Sequence, residues 1–306
     1  GAVRAEAGDL AVDQLREARF ELLVADAPGL HRAGLEVFDQ HIGFGDQTAH
    51  DVARLRLAQG FFRHDFLHHE IADRLLERRT DVKLPLRRVL DLGCHDGVIT
   101  ASLRAAGAQV VAAEPDAAFL RGISAPTVIL DEELLPFAPG AFDLIISNLH
   151  LHTVNDLPGL LAQCRRILAP EGMFLAAMLG GATLWQLRQC LYEAEQTVVG
   201  GISPRIAPFA ALPTAAALLQ RAGFELPVAD NETINVAYPD AFALMRDLRG
   251  MGFGNVLTDR LRRPTRRAVF AAAAAIYAEK FPDQNGGVMA TFEVVYLHGW
   301  RPKTGL

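Results

Sequence analysis

A short apolar run, Val89-Leu90-Asp91-Leu92, passes directly into Gly93-Cys94-His95-Asp96-Gly97 and then into a segment with helical spacing. A buried strand that turns tightly into a helix through closely placed glycines is a nucleotide-binding geometry. A side chain there would keep the backbone away from the ligand, and one position often needs positive φ. From this point short apolar runs alternate with helical stretches as far as Gly180, the order that builds a parallel sheet with crossover helices. The pattern predicts strands over 88–92, 109–114, 127–130, 142–147 and 172–178, and helices over 98–106, 116–121 and 157–168, the last stopped by Pro170.

Beyond Gly180 the strict alternation ends. Helices are expected over 182–196 and 212–222, followed by a strand over 224–238 that contains an acidic bend. An insert with helices over 241–249 and 265–280 comes next, and a strand over 291–300 follows, with Phe292, Val294, Tyr296 and His298 on one face. Ahead of the sheet, residues 10–24 have helical spacing, Ala27-Pro28-Gly29 breaks it, and 41–60 reads as a polar connector. A helix carrying Phe62, Phe66, Ile71, Leu75 and Leu76 then runs to about Thr80. The organisation is an N-terminal helical extension and connector at 1–60 and one α/β domain at 61–306, with helical additions on the substrate side at 182–222 and 239–288.

The chain has 306 residues, half of them hydrophobic and 22% charged, which is ordinary for a folded globular protein and enough to bury an α/β core. A net charge of −6 gives no general attraction for phosphate backbones, so no nucleic-acid partner is expected. The run of Arg260, Arg262, Arg263, Arg266 and Arg267 reads as a solvated face. Cys94, Cys164 and Cys190 are too few and too scattered for a disulfide framework or a thiolate cage, and a reducing compartment fits them. No apolar run approaches the roughly 20 residues needed to span a bilayer; this is compatible with peripheral membrane association.

The chemistry gathers at the carboxyl ends of the expected strands. Glu114 ends the second strand, about twenty residues past the glycine turn, where a carboxylate can accept both hydroxyl hydrogens of a ribose. The spacing fits dinucleotide and S-adenosyl-L-methionine (SAM) sites alike. A nicotinamide fingerprint would read G-x-G-x-x-G, whereas here the glycines are Gly93 and Gly97 with Asp91 inside the motif. Asp131 and Glu132 follow the third strand, placed to accept a hydrogen bond from an adenine amine. The expected cofactor site is therefore Asp91, Gly93, Cys94, Gly97, Glu114, Asp131, Glu132 and Asn148.

Asn148, His150 and His152 follow the fourth strand, at the edge where open α/β sheets bind ligands. Asn148 and His152 are the catalytic candidates, His152 as a proton acceptor, the plain alternative being a histidine that packs a loop. His64, His68, His69 and Glu70 offer no convincing two-histidine, one-carboxylate triad, and no metal site is expected. Trp185, Arg188 and Tyr192 are spaced to line a lid, with core packing as the plain alternative for the two rings. The proline-punctuated loop at 203–209 is expected to contact a protein substrate.

Across 88–178 these positions resemble the class I SAM-dependent methyltransferases. Asp131-Glu132-Glu133-Leu134-Leu135-Pro136-Phe137, Leu151-His152-Thr153-Val154-Asn155-Asp156-Leu157-Pro158, Gly200-Gly201-Ile202-Ser203-Pro204-Arg205 and Met245-Arg246-Asp247-Leu248-Arg249-Gly250 are similar to the mitochondrial respiratory complex I assembly factor 5 family. The resemblance covers roughly 88–300 and implies the class I methyltransferase fold, an α/β Rossmann-like, mostly parallel seven-stranded sheet, with SAM as cofactor. It also implies a protein partner, an iron–sulfur subunit of complex I, whose side chain is modified by methyl transfer or arginine hydroxylation. The implied compartment is the cytoplasm of a bacterium, or the mitochondrial matrix or inner-membrane periphery of a eukaryote. Alternatives are a malonyl-acyl-carrier-protein O-methyltransferase and a non-catalytic scaffold. Two residues depart from the family pattern: His95 stands where glycine is common, and Thr153 where tryptophan is usual.

Overall fold

A computed structural model of the chain describes residues 60–303 apart from 83–86, 208, 256, 258–259 and 262. The helix expected over 10–24 and the connector up to residue 59 lie outside the described residues. Helix α1 (Phe66–Thr80) buries Leu67, His68, Ile71, Ala72 and Leu75. Their i, i+4, i+8 spacing makes one stripe, and it packs on the centre of the sheet.

The sheet has seven strands in the order β3-β2-β1-β4-β5-β7-β6. Its members are β1 (Arg88–Leu92), β2 (Gln109–Glu114), β3 (Thr127–Ile129), β4 (Phe142–Asn148), β5 (Leu168–Leu179), β6 (Glu225–Tyr238) and β7 (Val288–Trp300). The first five are mutually parallel, and β7 runs antiparallel to both β5 and β6. This is the class I methyltransferase fold that the resemblance implies. Strand order reverses between β1 and β4, so a crevice opens at their carboxyl ends, where such sheets take their ligands.

Both faces of the sheet are covered, because successive side chains of a strand point to opposite sides. In β5, Leu175, Ala177 and Leu179 join one core, while Phe174, Ala176 and Met178 join the other. Helices α2 (Val98–Ala105), α4 (Trp185–Val199), α6 (Ala241–Gly250) and α7 (Arg267–Lys280) cover the first face with α1. Helices α3 (Leu157–Ile167) and α5 (Leu212–Arg221) cover the second.

Three expectations are corrected. Residues 116–121 form turns rather than a helix: Asp116 accepts the Ala118 N–H at 2.8 Å, and Gly122 at φ 87° ends the segment before a helix is established. Helix α3 stops before Pro170, because Leu168 already has the extended ψ of 145° and starts β5. No bend occurs at the acidic residues of β6, whose Asp230, Asn231 and Glu232 pair in register with β7. Their charges are met from α1, by Arg78 on Asp230 at 2.7 Å and by Arg74 on Glu232. The irregularity of that strand lies instead near Leu226, at φ 46° between the shifted registers of Glu225 and Val228.

Candidate active site

The glycine loop is pulled across the end of β2 by two bonds to one carbonyl, with Gly93 N–H and Cys94 N–H both donating to Ala113 O, at 2.8 and 3.2 Å. Gly93 has φ 70°, and a Cβ there would lie 2.1 Å from His150 Cγ, so glycine is needed for space as well as for conformation. Gly97, at φ 78°, opens α2 facing Ile123. His95 also adopts the left-handed region, at φ 46°, where a side chain costs roughly 1–2 kcal/mol. The loop is thus not reshaped to accommodate the missing glycine. The His95 ring instead packs among Phe61, His68 and Phe119, with ring centroids 5.6, 4.8 and 5.7 Å away.

Two carboxyl groups stand behind this loop. Asp91 is 1% exposed, accepts the Thr100 hydroxyl at 2.6 Å, and keeps Oδ1 buried without a partner. Burial pushes its pKa up to about 7. Glu114 ends β2 and accepts the His95 N–H at 3.1 Å. Its burial likewise raises it to about 7 against the opposing pull of His150. Beyond β3 the neighbouring acids diverge. Asp131 is exposed and accepts the Glu133 N–H at 2.9 Å, whereas Glu132 turns inward, its Oε1 lying 3.0 Å from His150 Nε2.

Asn148 ends β4 and donates from Nδ2 to His68 O at 2.9 Å, while its Oδ1 is buried without a partner. Both ring nitrogens of His68 and of His152 are buried and unpartnered. Burial holds His95 and His152 at about 3 and keeps His68 well below the usual histidine value. The His152 ring meets Phe209 and Phe253 at 5.6 and 5.4 Å. The Cys94 thiol is buried and raised, so it stays protonated. Thr153 is exposed and its hydroxyl donates to His150 O.

The fold therefore brings Asp91, Gly93, Cys94 and Asn148 around one small pocket, which His68, His95 and Asp96 also line. Glu114 is joined to it through His95, and Glu132 through His150. Gly97 stands behind at the helix start, Asp131 stands apart in solvent, and His152 lies on the aromatic side. Sequence reasoning missed Phe61 and Phe253, which meet at His68 from the segment before α1 and from the insert. The four polar residues 64, 68, 69 and 70 do not converge. His64 contacts Asp247, Glu70 pairs with Arg74, and His69 turns to Asp96.

Trp185 packs edge-on against Phe281 beside α7, with ring centroids 5.0 Å apart. The 203–209 loop is clamped at its start: Ser203 N–H and hydroxyl and the Arg205 guanidinium all donate to Glu195 of α4, and Arg205 also donates to Thr265. At its far end Phe209 faces His152.

Residues 90–176 match a methyltransferase domain family. The chain is 36% identical over 277 residues to the zebrafish (Danio rerio) protein named arginine-hydroxylase NDUFAF5, mitochondrial, covering 89% of this chain and 84% of that one. It is also 36% identical over 244 residues to a malonyl-acyl-carrier-protein O-methyltransferase of Halorhodospira halophila, covering 76% and 81%. Among solved structures, YcgJ of Bacillus subtilis aligns with a TM-score of 0.53 at 15% identity, over 78% of this chain and 100% of that one. A Haemonchus contortus phosphoethanolamine N-methyltransferase 2 holding S-adenosylhomocysteine aligns with a TM-score of 0.50 at 14% identity, over 80% and 57%. At such identities the two structures speak for the fold alone.

Proposed function

The chain belongs to the family of the mitochondrial NDUFAF5 arginine-hydroxylases, SAM-dependent enzymes of the class I methyltransferase superfamily, and from that premise we propose that it modifies an arginine side chain of a protein partner during assembly of respiratory complex I. The partner favoured by the family resemblance is an iron–sulfur subunit. The compartment is then the bacterial cytoplasm or the mitochondrial matrix side of the inner membrane. Among the described residues no helix is long and apolar enough to cross a membrane.

The observation that carries the reading is a set of buried oxygens without partners, Asp91 Oδ1 and Asn148 Oδ1, around a cradle that only glycine fits at position 93. Buried polar atoms are nearly always paired, so such a set marks the seat of a ligand rich in donors. An amino-acid nucleoside has those donors: Asp91 and Asn148 would hold its ammonium and Glu114 its ribose hydroxyls, while Glu132, and Asp131 from the solvent side, would accept from its adenine amine.

When bound, SAM supplies a methyl group made electrophilic by its sulfonium. The chain's own residues hold and orient. Asn148 sits at the tip of β4, between cofactor pocket and substrate mouth, where its free Oδ1 can fix a donor. Burial keeps His152 neutral, so whichever of its two unpartnered ring nitrogens carries no hydrogen can accept a hydrogen bond from the incoming side chain and orient it. Phe209 and Phe253 wall that histidine from water.

Two measurements test the reading. Calorimetry on the full chain is expected to show one SAM site; a folded protein that does not bind SAM would leave only a scaffold. Mass spectrometry of respiratory iron–sulfur subunits from a deletion strain is expected to lose one increment on one arginine, a methyl group where SAM is the donor or an oxygen where a separate oxidant takes part. A lost methyl increment would make the protein a methyltransferase, and unchanged masses would overturn the assignment. The Halorhodospira relative carries a second reading, which labelled methyl transfer to malonyl-carrier protein would establish.

A further inference from the structure

Asp65, His69 and Asp96 meet on the outer side of the glycine loop. Asp65 and His69 stand four residues apart, one turn of α1, and Asp96 comes from the loop itself, between His95 and Gly97. His69 Nε2 lies 2.7 Å from Asp96 Oδ2 and 3.5 Å from Asp65 Oδ2. One ligand atom from each residue falls within 4.8 Å of the others, and no other group of three among the described residues does so.

Ordinary ion pairing accounts poorly for this convergence. Asp65 occupies the N-cap of α1 but makes no cap hydrogen bond, although an aspartate there contributes about 1 kcal/mol when it caps. Both carboxylates face the same imidazole nitrogen, which has one proton to offer at most. The Asp96 side chain is only 8% exposed. On its inner side lies the pocket that also receives His68, 1% exposed with both ring nitrogens unpartnered, so the cluster borders polar groups that themselves call for a ligand.

We propose that Asp65, His69 and Asp96 bind a divalent first-row transition cation at the edge of the cofactor loop. One imidazole nitrogen and two carboxylate oxygens suit manganese or ferrous iron better than calcium or magnesium, which favour all-oxygen sites. Ligand atoms of an octahedral site with bonds near 2.1 Å stand roughly 3 Å apart, close to the two distances at His69. Two ligands on one helix turn and a third from a separate loop leave the remaining positions open on the exposed side of His69. The site stands independently of the proposed arginine modification. It gives that modification's surroundings a metal centre beside the cofactor.

The test is an electron paramagnetic resonance titration of the chelator-treated full chain with Mn²⁺ alone. One ion per chain is expected, with affinity falling about tenfold or more in Asp65→Asn and in His69→Gln, and unchanged in Glu70→Gln, a neighbouring acid outside the cluster. Thermal melting and SAM calorimetry on the same variants establish that fold and cofactor pocket persist. A wild-type chain with no saturable Mn²⁺ site, or variants that bind Mn²⁺ as the wild type does, would overturn the proposal while leaving the SAM assignment intact.

Discussion

Gly93 and His95 have the same handedness of backbone, and only one of them pays for it with a side chain. At Gly93 an added methyl would collide with His150. Gly93→Ala is therefore expected to push His150 away from Glu132, lower the melting temperature and weaken SAM binding about tenfold or more, as read by calorimetry. The carboxylates make a graded series. Glu114→Ala removes a buried acceptor and should weaken SAM binding by about 1–3 kcal/mol. Asp131→Ala should weaken it less, because that side chain is exposed and already holds the Glu133 N–H. Equal losses in the two variants would remove the distinction drawn between them.

Among the elements, the clamp between α4 and the 203–209 loop offers the clearest test. Glu195 accepts from Ser203 and Arg205, so Glu195→Gln should cost about 2 kcal/mol and release the loop, seen as a lower melting temperature and faster proteolysis there. The bounds of β1 and β2 were legible because each apolar run ends abruptly, at Gly93 and at Pro115. The sequence of β6 misleads for a physical reason. Asp230-Asn231-Glu232 has the composition of a turn, but Arg74 and Arg78 of α1 neutralise it, and a partner 152 residues away leaves no trace in local pattern. The site divides in the same way. Asp91, Gly93 and Glu114 follow from spacing along consecutive strands, whereas Phe61, His68 and Phe253 reach the pocket only through packing of α1 and the insert.

For the whole molecule, buried titrating groups set opposing trends with pH. Asp91 and Glu114 take up protons in the fold near pH 7, well above their unfolded values, so on acidification from 7 towards 4 they add stability. His68, His95 and His152 are depressed by burial, His95 and His152 to about 3, so below about 6.5 the unfolded chain gains protons that the fold refuses, and stability is lost. Three imidazoles outweigh two carboxyls. The melting temperature should fall between about pH 6.5 and 4.5, and His152→Phe should flatten that slope; a wild-type slope of the opposite sign would show that the carboxyls dominate. The position of β7 has a consequence for how the molecule is made. It lies inside the sheet, yet its 13 residues leave the ribosome after those of both neighbours. Until β7 is made, the facing edges of β5 and β6 have no strand to pair with, and unpaired edges of that kind are where one chain can join another.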